Sequence, residues 1–381
     1  MKVAVLGYGT VGYGVYEMLK QAKGLEPGPV LVRPGKADEP FKVTSVEDIA
    51  ADSTVDAVAE VMGGVEPAFS YACAVLRAGK HFVTSNKALV AAKGSELARL
   101  AEQNGVGFLF SAACGGGVPF LHNMALAAES DEIEYVGGIL NGTTNYMLDA
   151  MQRREMTYEA ALAEAQKLGY AEADPTADVT GLDALRKIML ACAVAFNVLP
   201  VGGLNNEGID SFTAADVKFL QEKGLTCRLV VSGQRAGGKN VSAFVEPVLF
   251  ERGAPECSVS DNYNMARYNG KCAGPIVLMG QGAGRWPTAS AVLRDLSDLL
   301  SGRRTMMSPA VETAEADNSA VLRKYCVRVP AGTALPFPQE TSELRDGNCY
   351  VFTGAVAVPV MHAWAENYRK DGGSCFFASL G

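Results

Sequence analysis

One short segment, Gly7-Tyr8-Gly9-Thr10-Val11-Gly12, constrains this chain more than any other. It follows an apolar run, Lys2–Leu6, and opens a stretch with helical periodicity, Val11–Gln21. In a strand–turn–helix of that order, Gly7 permits the tight turn and Gly9 lets a pyrophosphate approach the backbone. Gly12 lets helix and strand pack closely. The helix N-terminus then turns unpaired N–H groups toward the phosphate charge. A purely structural glycine turn can carry the same letters, so context decides. At the start of a βαβ unit, the motif predicts dinucleotide binding.

The rest of the first third fits that unit. Val30–Arg33, Ala57–Val61, His81–Thr84 and Gly107–Phe110 have strand character, while Pro67–Ala78 and Gly94–Gln103 have helical periodicity. Alternation of this kind predicts a Rossmann-type, doubly wound parallel sheet. From about Tyr135 the texture changes. A long apolar helix, Leu182–Val198, and strands such as Cys227–Val231 and Val241–Phe250 suggest an inserted α+β domain. At Gly274–Leu300 the strand, glycine turn and helix return. The expected organisation is a dinucleotide-binding domain over 1–134 plus 274–303, and a substrate-binding and dimerisation domain over 135–273. A short ββαβ-like C-terminal region over 304–381 completes it. That region would comprise strands Lys324–Val329, Asn348–Val356 and Cys375–Ala378 and helix Val360–Lys370, with Pro330–Glu343 as a linker.

Composition excludes several classes. The net charge is −8 with no long basic stretch, which argues against nucleic-acid binding. No run of about 18 apolar residues occurs, so no membrane span is expected. The nine cysteines form no CxxC pair and are odd in number, unlike a zinc site or a secreted disulfide framework. The N-terminal apolar run is too short for a signal peptide. A cytoplasmic protein with reduced thiols is the expectation.

Four groups of residues could carry chemistry. Arg33, at the end of the second strand, stands where NAD enzymes usually place an acid; a guanidinium there suits a 2′-phosphate and favours NADP. An ordinary solvated strand-end charge is the alternative, which leaves NAD open. Lys87, in Thr84-Ser85-Asn86-Lys87, lies after a strand's carboxyl end, where ligands bind in open α/β sheets. It is equally placed to begin the next helix as a surface charge. Asp183 and Lys187 lie four apart in the helix that Thr180 would cap, a spacing that by itself describes an exposed ion pair. His81, His122 and His362 show no acidic partner or ligand spacing in the sequence and are treated as structural or surface residues.

Taken in order, GYGTVG, SNKA, ACGGGVP, GGILNGTTNYML, GYAEADPTADVTGLDALRK and GQGAGRWPTASAV resemble the successive signature blocks of homoserine dehydrogenases, over roughly residues 1–300. The resemblance lifts the Asp183–Lys187 pair above the surface reading. It implies that Gly9, Thr10 and Val11 line the pyrophosphate, that Lys87 touches both nicotinamide side and substrate, and that Gly284 closes over the cofactor. It further implies that Glu172 and Asp183 hold the amino and hydroxyl ends of L-homoserine, with Lys187 transferring the proton. Backbone carbonyls of Ser111, Cys114, Gly116 and Val118 would bind a monovalent cation, sodium by family analogy; many relatives carry Glu at the position of Ser111, a departure that bears on the loop's polar support.

The implied reaction interconverts L-homoserine and L-aspartate 4-semialdehyde with NAD(P), in threonine, methionine and isoleucine biosynthesis, by a homodimer. Desolvation of Lys187, or Lys87 nearby, would favour the neutral amine that oxidation needs. Two rivals are a related dehydrogenase acting on another amino acid and a non-catalytic NADP-binding sensor. Many relatives end in a βαββαβ regulatory domain. Here Pro330, Pro336 and Pro338 fall where its first helix would lie, at about 3 kcal/mol for each interior proline. A degenerate regulatory module packed on the first domain, with weak or absent response to threonine, is therefore expected.

Overall fold

The computed structural model describes residues 1–236 and 240–381. It divides into two compact units. The first comprises Met1–Ile133, Met189–Leu199 and Arg267–Thr313, and the second Glu134–Ile188, Pro200–Ala266 and Ala314–Gly381. The division falls within the helix Leu182–Phe196.

In the first unit, strands β1 (Lys2–Leu6), β2 (Glu26–Leu31), β3 (Lys42–Val43), β4 (Ala57–Glu60), β5 (His81–Thr84) and β6 (Phe108–Leu109) form one parallel sheet in the order β3-β2-β1-β4-β5-β6. That is the dinucleotide-binding order, with the reversal beside β1. Val3, Ala4, Val5 and Leu6 are fully buried, as are Ala57, Val58 and Ala59 of β4, which is why these strands appear as unbroken apolar runs. Helix α1 (Thr10–Leu19) opens directly after the glycine turn, α2 (Val46–Ala51) and α3 (Ala68–Arg77) follow β3 and β4, and α4 (Lys87–Gln103) follows β5. The strand β2 starts and ends earlier than the apolar pattern suggests, so Arg33 lies past its end. The chain also contributes the helix Arg285–Leu300, which packs on α1; Gly14 admits it closely, because a Cβ there would lie 2.9 Å from Arg285 Cγ.

The second unit is built on a mostly antiparallel sheet. Its strands lie in the order Tyr263–Gly270, Ile133–Ile139, Leu225–Arg235, Val241–Glu251, Phe376–Leu380, Tyr325–Pro330, Asn348–Thr353 and Gln339–Arg345. Residues 314–381 thus extend this sheet. They were expected to pack on the first domain, but Phe376–Leu380 runs parallel to Val241–Glu251, pairing Val248 with Ser379 and Leu249 with Leu380. The stretch expected to be a linker up to Glu343 contains an edge strand, Gln339–Arg345, hairpinned to Asn348–Thr353. That strand is nearly all polar and exposed, so periodicity misses it. The signal is Asp346-Gly347, with φ of +47° and +79°, a pair suited to a two-residue hairpin turn. The prolines do exclude a helix. In its place Leu335 and Phe337 dip into the core beside Tyr325, Val327, Met361 and Phe377.

Charged pairs fasten the tail to its unit. Buried Arg328 donates to Asp216 at 2.8 Å, Arg369 grips Glu207 with two bonds of 3.0 and 2.6 Å, and His362 Nε2 lies 3.1 Å from Glu246. His122 likewise sits 2.9 Å from Asp298, and His81 Nδ1 accepts from the Gly107 N–H, so the histidines have structural partners distant in sequence. A chain ending at Thr313 would leave Asp216, Glu207 and Glu246 without these partners. Breaking one buried pair costs about 3–5 kcal/mol, against about 5–15 kcal/mol for a whole domain. The truncated protein should be insoluble or lack a cooperative thermal transition, and a soluble, sharply melting truncation would refute this packing.

Candidate active site

The nucleotide groove begins at the turn after β1. Gly7 has φ +99°, where a side chain would be strained, and a Cβ on Gly12 would overlap the Gly7 carbonyl. Gly9 differs: beyond its own chain neighbours, no described atom lies within 4 Å of where its Cβ would be. The opening lies on a cavity of about 780 Å³ lined by Gly7, Tyr8, Gly9, Arg33, Lys36 and Lys42, among others. Room at the middle glycine, with Thr10 and Val11 beginning the helix behind it, fits a bound pyrophosphate. Arg33 and Lys36 are exposed and line the same groove. Lys42 was not singled out in the sequence. Its amine lies 5.1 Å from the centre of the Tyr8 ring and pairs with Asp38 at 2.6 Å.

Lys87 is half-buried at the first position of α4. The turn before it is held by an acid that sequence reasoning missed. Buried Glu60, at the end of β4, accepts from the Met62 N–H at 2.7 Å and from the Thr84 hydroxyl at 2.5 Å. Thr84 Oγ1 in turn accepts from the Asn86 N–H, and the Asn86 side chain caps α4 and donates to the Gly64 carbonyl. One carboxylate thus ties the loop lining the groove to the turn that presents Lys87. Burial pushes the Glu60 carboxyl up, against the pull of its donors.

The loop Ser111–Val118 packs against the returning glycine turn. Gly117 donates to the Gln281 carbonyl at 3.0 Å, and a Cβ on Gly116 would overlap the Gly282 carbonyl. Gly284, with φ +120°, caps the helix Arg285–Leu300. That helix supplies the support of Ser111: buried Asp295 accepts from both the Ser111 N–H, at 2.8 Å, and its hydroxyl. Burial pushes the Asp295 carboxyl up to about 7. The carbonyls of Ser111 and Val118 accept from Cys114 N–H at 3.3 Å and Phe120 N–H at 2.8 Å, which leaves each oxygen a second lone pair.

In the second unit, Asp183 and Lys187 form an ion pair of 2.7 Å, with each side chain only 10% exposed. Burial separates it from the ordinary exposed i,i+4 pair. Lys187 Nζ also donates to the Leu140 carbonyl at 2.6 Å, which accepts from Asn264 Nδ2 at 3.0 Å as well. Asn141 Nδ2 lies 2.7 Å from Asp178 Oδ1 and 2.8 Å from Asp183 Oδ2. Burial pushes the Asp178 carboxyl up; the Asn141 donor opposes this and the Asp183 charge adds to it. Glu172 is exposed on the loop between Lys167 and Thr176. Asn141 and Asn264 were missed, although an Asn three residues before Thr144, at the start of a helical run, carries the form of an N-cap.

Residues 7–111 match a family model described as "Homoserine dehydrogenase, NAD binding domain", and residues 119–297 match one described as "Homoserine dehydrogenase". Homoserine dehydrogenase of Bacillus subtilis is 37% identical over 320 residues, spanning 80% of this chain and 74% of that one. The crystal structure of a homoserine dehydrogenase from Thiobacillus denitrificans superposes with a TM-score of 0.89 at 29% identity, covering 100% of this chain and 98% of that one. A hyperthermophilic archaeal homoserine dehydrogenase mutant, solved in complex with NADPH, shares the fold at 23% identity and a TM-score of 0.68, with 79% of this chain covering 98% of it. The nucleotide groove is accordingly that of an NAD(P)-dependent oxidoreductase. Within that class, the chain belongs to the homoserine dehydrogenase family.

The Glu60 network makes a separate prediction. Thr84→Val should cost about 1–3 kcal/mol in a denaturant titration, because it removes a donor from a buried carboxylate. An unchanged midpoint would mean that Glu60 does not depend on that bond.

Proposed function

We propose that the chain interconverts L-homoserine and L-aspartate 4-semialdehyde with NADP(H) as the preferred cofactor, and that Lys187 moves the proton. The observation that carries the reading is the buried Asp183–Lys187 pair, 2.7 Å apart, within the family's long acidic block. When bound, the nicotinamide takes or returns a hydride at C4 of the substrate. Lys187 accepts the hydroxyl proton during oxidation and donates it to the carbonyl oxygen during reduction. Glu172 and Asp183 receive the amino and hydroxyl ends of the substrate. Desolvation, or Lys87 nearby, favours the neutral Lys187 amine that oxidation requires. Lys87 assists at both cofactor and substrate.

NADP preference rests on Arg33, with Lys36 and Lys42 in the same groove and NAD as the weaker alternative. A monovalent cation, sodium by family analogy, fits the hard carbonyl oxygens of Ser111, Cys114, Gly116 and Val118, where it would brace the loop. A cytoplasmic homodimer serving threonine, methionine and isoleucine synthesis, with weak or absent response to threonine, completes the proposal.

Two substitutions test the assignments. Lys187→Ala should lower kcat by about 100- to 10,000-fold while NADPH affinity stays nearly unchanged; retention of more than a third of the wild-type rate would remove Lys187 from the mechanism. Arg33→Ala should weaken NADP(H) by about 10- to 150-fold, the loss of about 1.5–3 kcal/mol, and leave NAD(H) nearly unaffected. Equal losses for both cofactors would make Arg33 structural.

A further inference from the structure

We propose that Asn141 is a positioning residue for the reaction, a neutral amide that holds Asp178 and Asp183 at a fixed spacing beside Lys187. The inference rests on the proposed roles of Asp183 and Lys187. Asn141 is 3% exposed, and its Nδ2 donates to Asp178 Oδ1 at 2.7 Å and to Asp183 Oδ2 at 2.8 Å. The amide cannot be reversed without loss, because its Oδ1 accepts from the Thr144 N–H at 2.8 Å and lies 3.0 Å from the Thr144 hydroxyl. The preceding residue takes part too, since the Leu140 carbonyl anchors Lys187 Nζ. Two consecutive residues at one strand end therefore fix all three charged groups.

Helix capping alone does not account for an asparagine here. Serine, threonine or aspartate would serve equally well as the acceptor for Thr144. What the amide adds is a pair of N–H donors on the same side chain as the acceptor. Two carboxylates within reach of one nitrogen each disfavour the other's ionisation, and a donor shared between them favours the charged form of both. The groups facing this point are Asp178 and Asp183, Lys187, and the neutral Thr143 and Asn264. An amide balances them without adding charge.

Asn141→Ser and Asn141→Asp both keep a good N-cap, so the full-length protein should fold and bind NADPH as before. The serine is too short to bridge the carboxylates, and kcat/KM for homoserine should fall by about 100-fold, as for a misplaced catalytic group. The aspartate adds a third negative charge that favours the ammonium form of Lys187. Its pH–rate profile for homoserine oxidation should move to higher pH, a change that a structural role would not produce. Wild-type kcat/KM within threefold and an unshifted profile in both variants would overturn the proposal. So would loss of the fold in both, which would assign Asn141 to stability. Failure of the underlying reading shows differently, as activity retained by Lys187→Ala, whereas an inactive Lys187→Ala beside fully active Asn141 variants would refute the positioning role alone.

Discussion

A buried carboxylate and a half-buried one, beside a buried ammonium, set the terms for the second unit. Asp178, Asp183 and Lys187 are costly to remove from water, and each needs partners at hydrogen-bond distance. The partners come from a single strand end, the Leu140 carbonyl and the Asn141 amide, with Asn264 from the neighbouring strand sharing that carbonyl. The local backbone is shaped to allow this. Gly138 has φ +130° and passes so close to the Met265 carbonyl that a Cβ would overlap it, and Gly142 has Asn262 O 2.7 Å from its Cβ position. On the other side, Gly208 lies against the Val179 carbonyl, and Asn206 donates to the Thr180 carbonyl at 2.7 Å, holding the turn that carries Asp178. The glycines of this unit are therefore close-approach residues as much as turn residues.

The tail is bound into the same arrangement. Arg369, on the last helix, pairs with Glu207, which adjoins Asn206. The strand Phe376–Leu380 adds itself to Val241–Glu251, and the proline-bearing loop fills with Leu335 and Phe337 the core volume that a helix would have covered. The region reads as a sheet extension held by buried charge pairs. Its apolar content follows from that packing, without requiring a separate sensor module.

Local signals were legible in the sequence and long-range ones were not. GYGTVG after an apolar run fixes strand, turn and helix because each glycine meets a steric demand within six residues, and the sheet order follows from the βαβ repeat. The Asp183–Lys187 spacing shows that the two share a helix face. It does not show that the face is buried, since burial comes from residues 40 to 80 positions away. Asn141, Glu60 and Asp295 were silent for the same reason: their partners are Asp178 and Asp183, Thr84, and Ser111, brought close only by the fold. The acidic partners of His122 and His362 lie more than 100 positions away. The edge strand Gln339–Arg345 escaped because an exposed edge needs no apolar alternation.

The central claim is that a lysine in this buried cluster moves the proton as the hydride moves. It is tested most directly by following NADPH absorbance at 340 nm with saturating substrates across pH, in both directions. Oxidation of homoserine needs the neutral amine and reduction of the semialdehyde needs the ammonium. The account therefore predicts that kcat for oxidation rises with pH through one ionisation while kcat for reduction falls through one. Rates that are flat with pH in both directions, with hydride transfer shown to be rate-limiting by a deuterated cofactor, would contradict it.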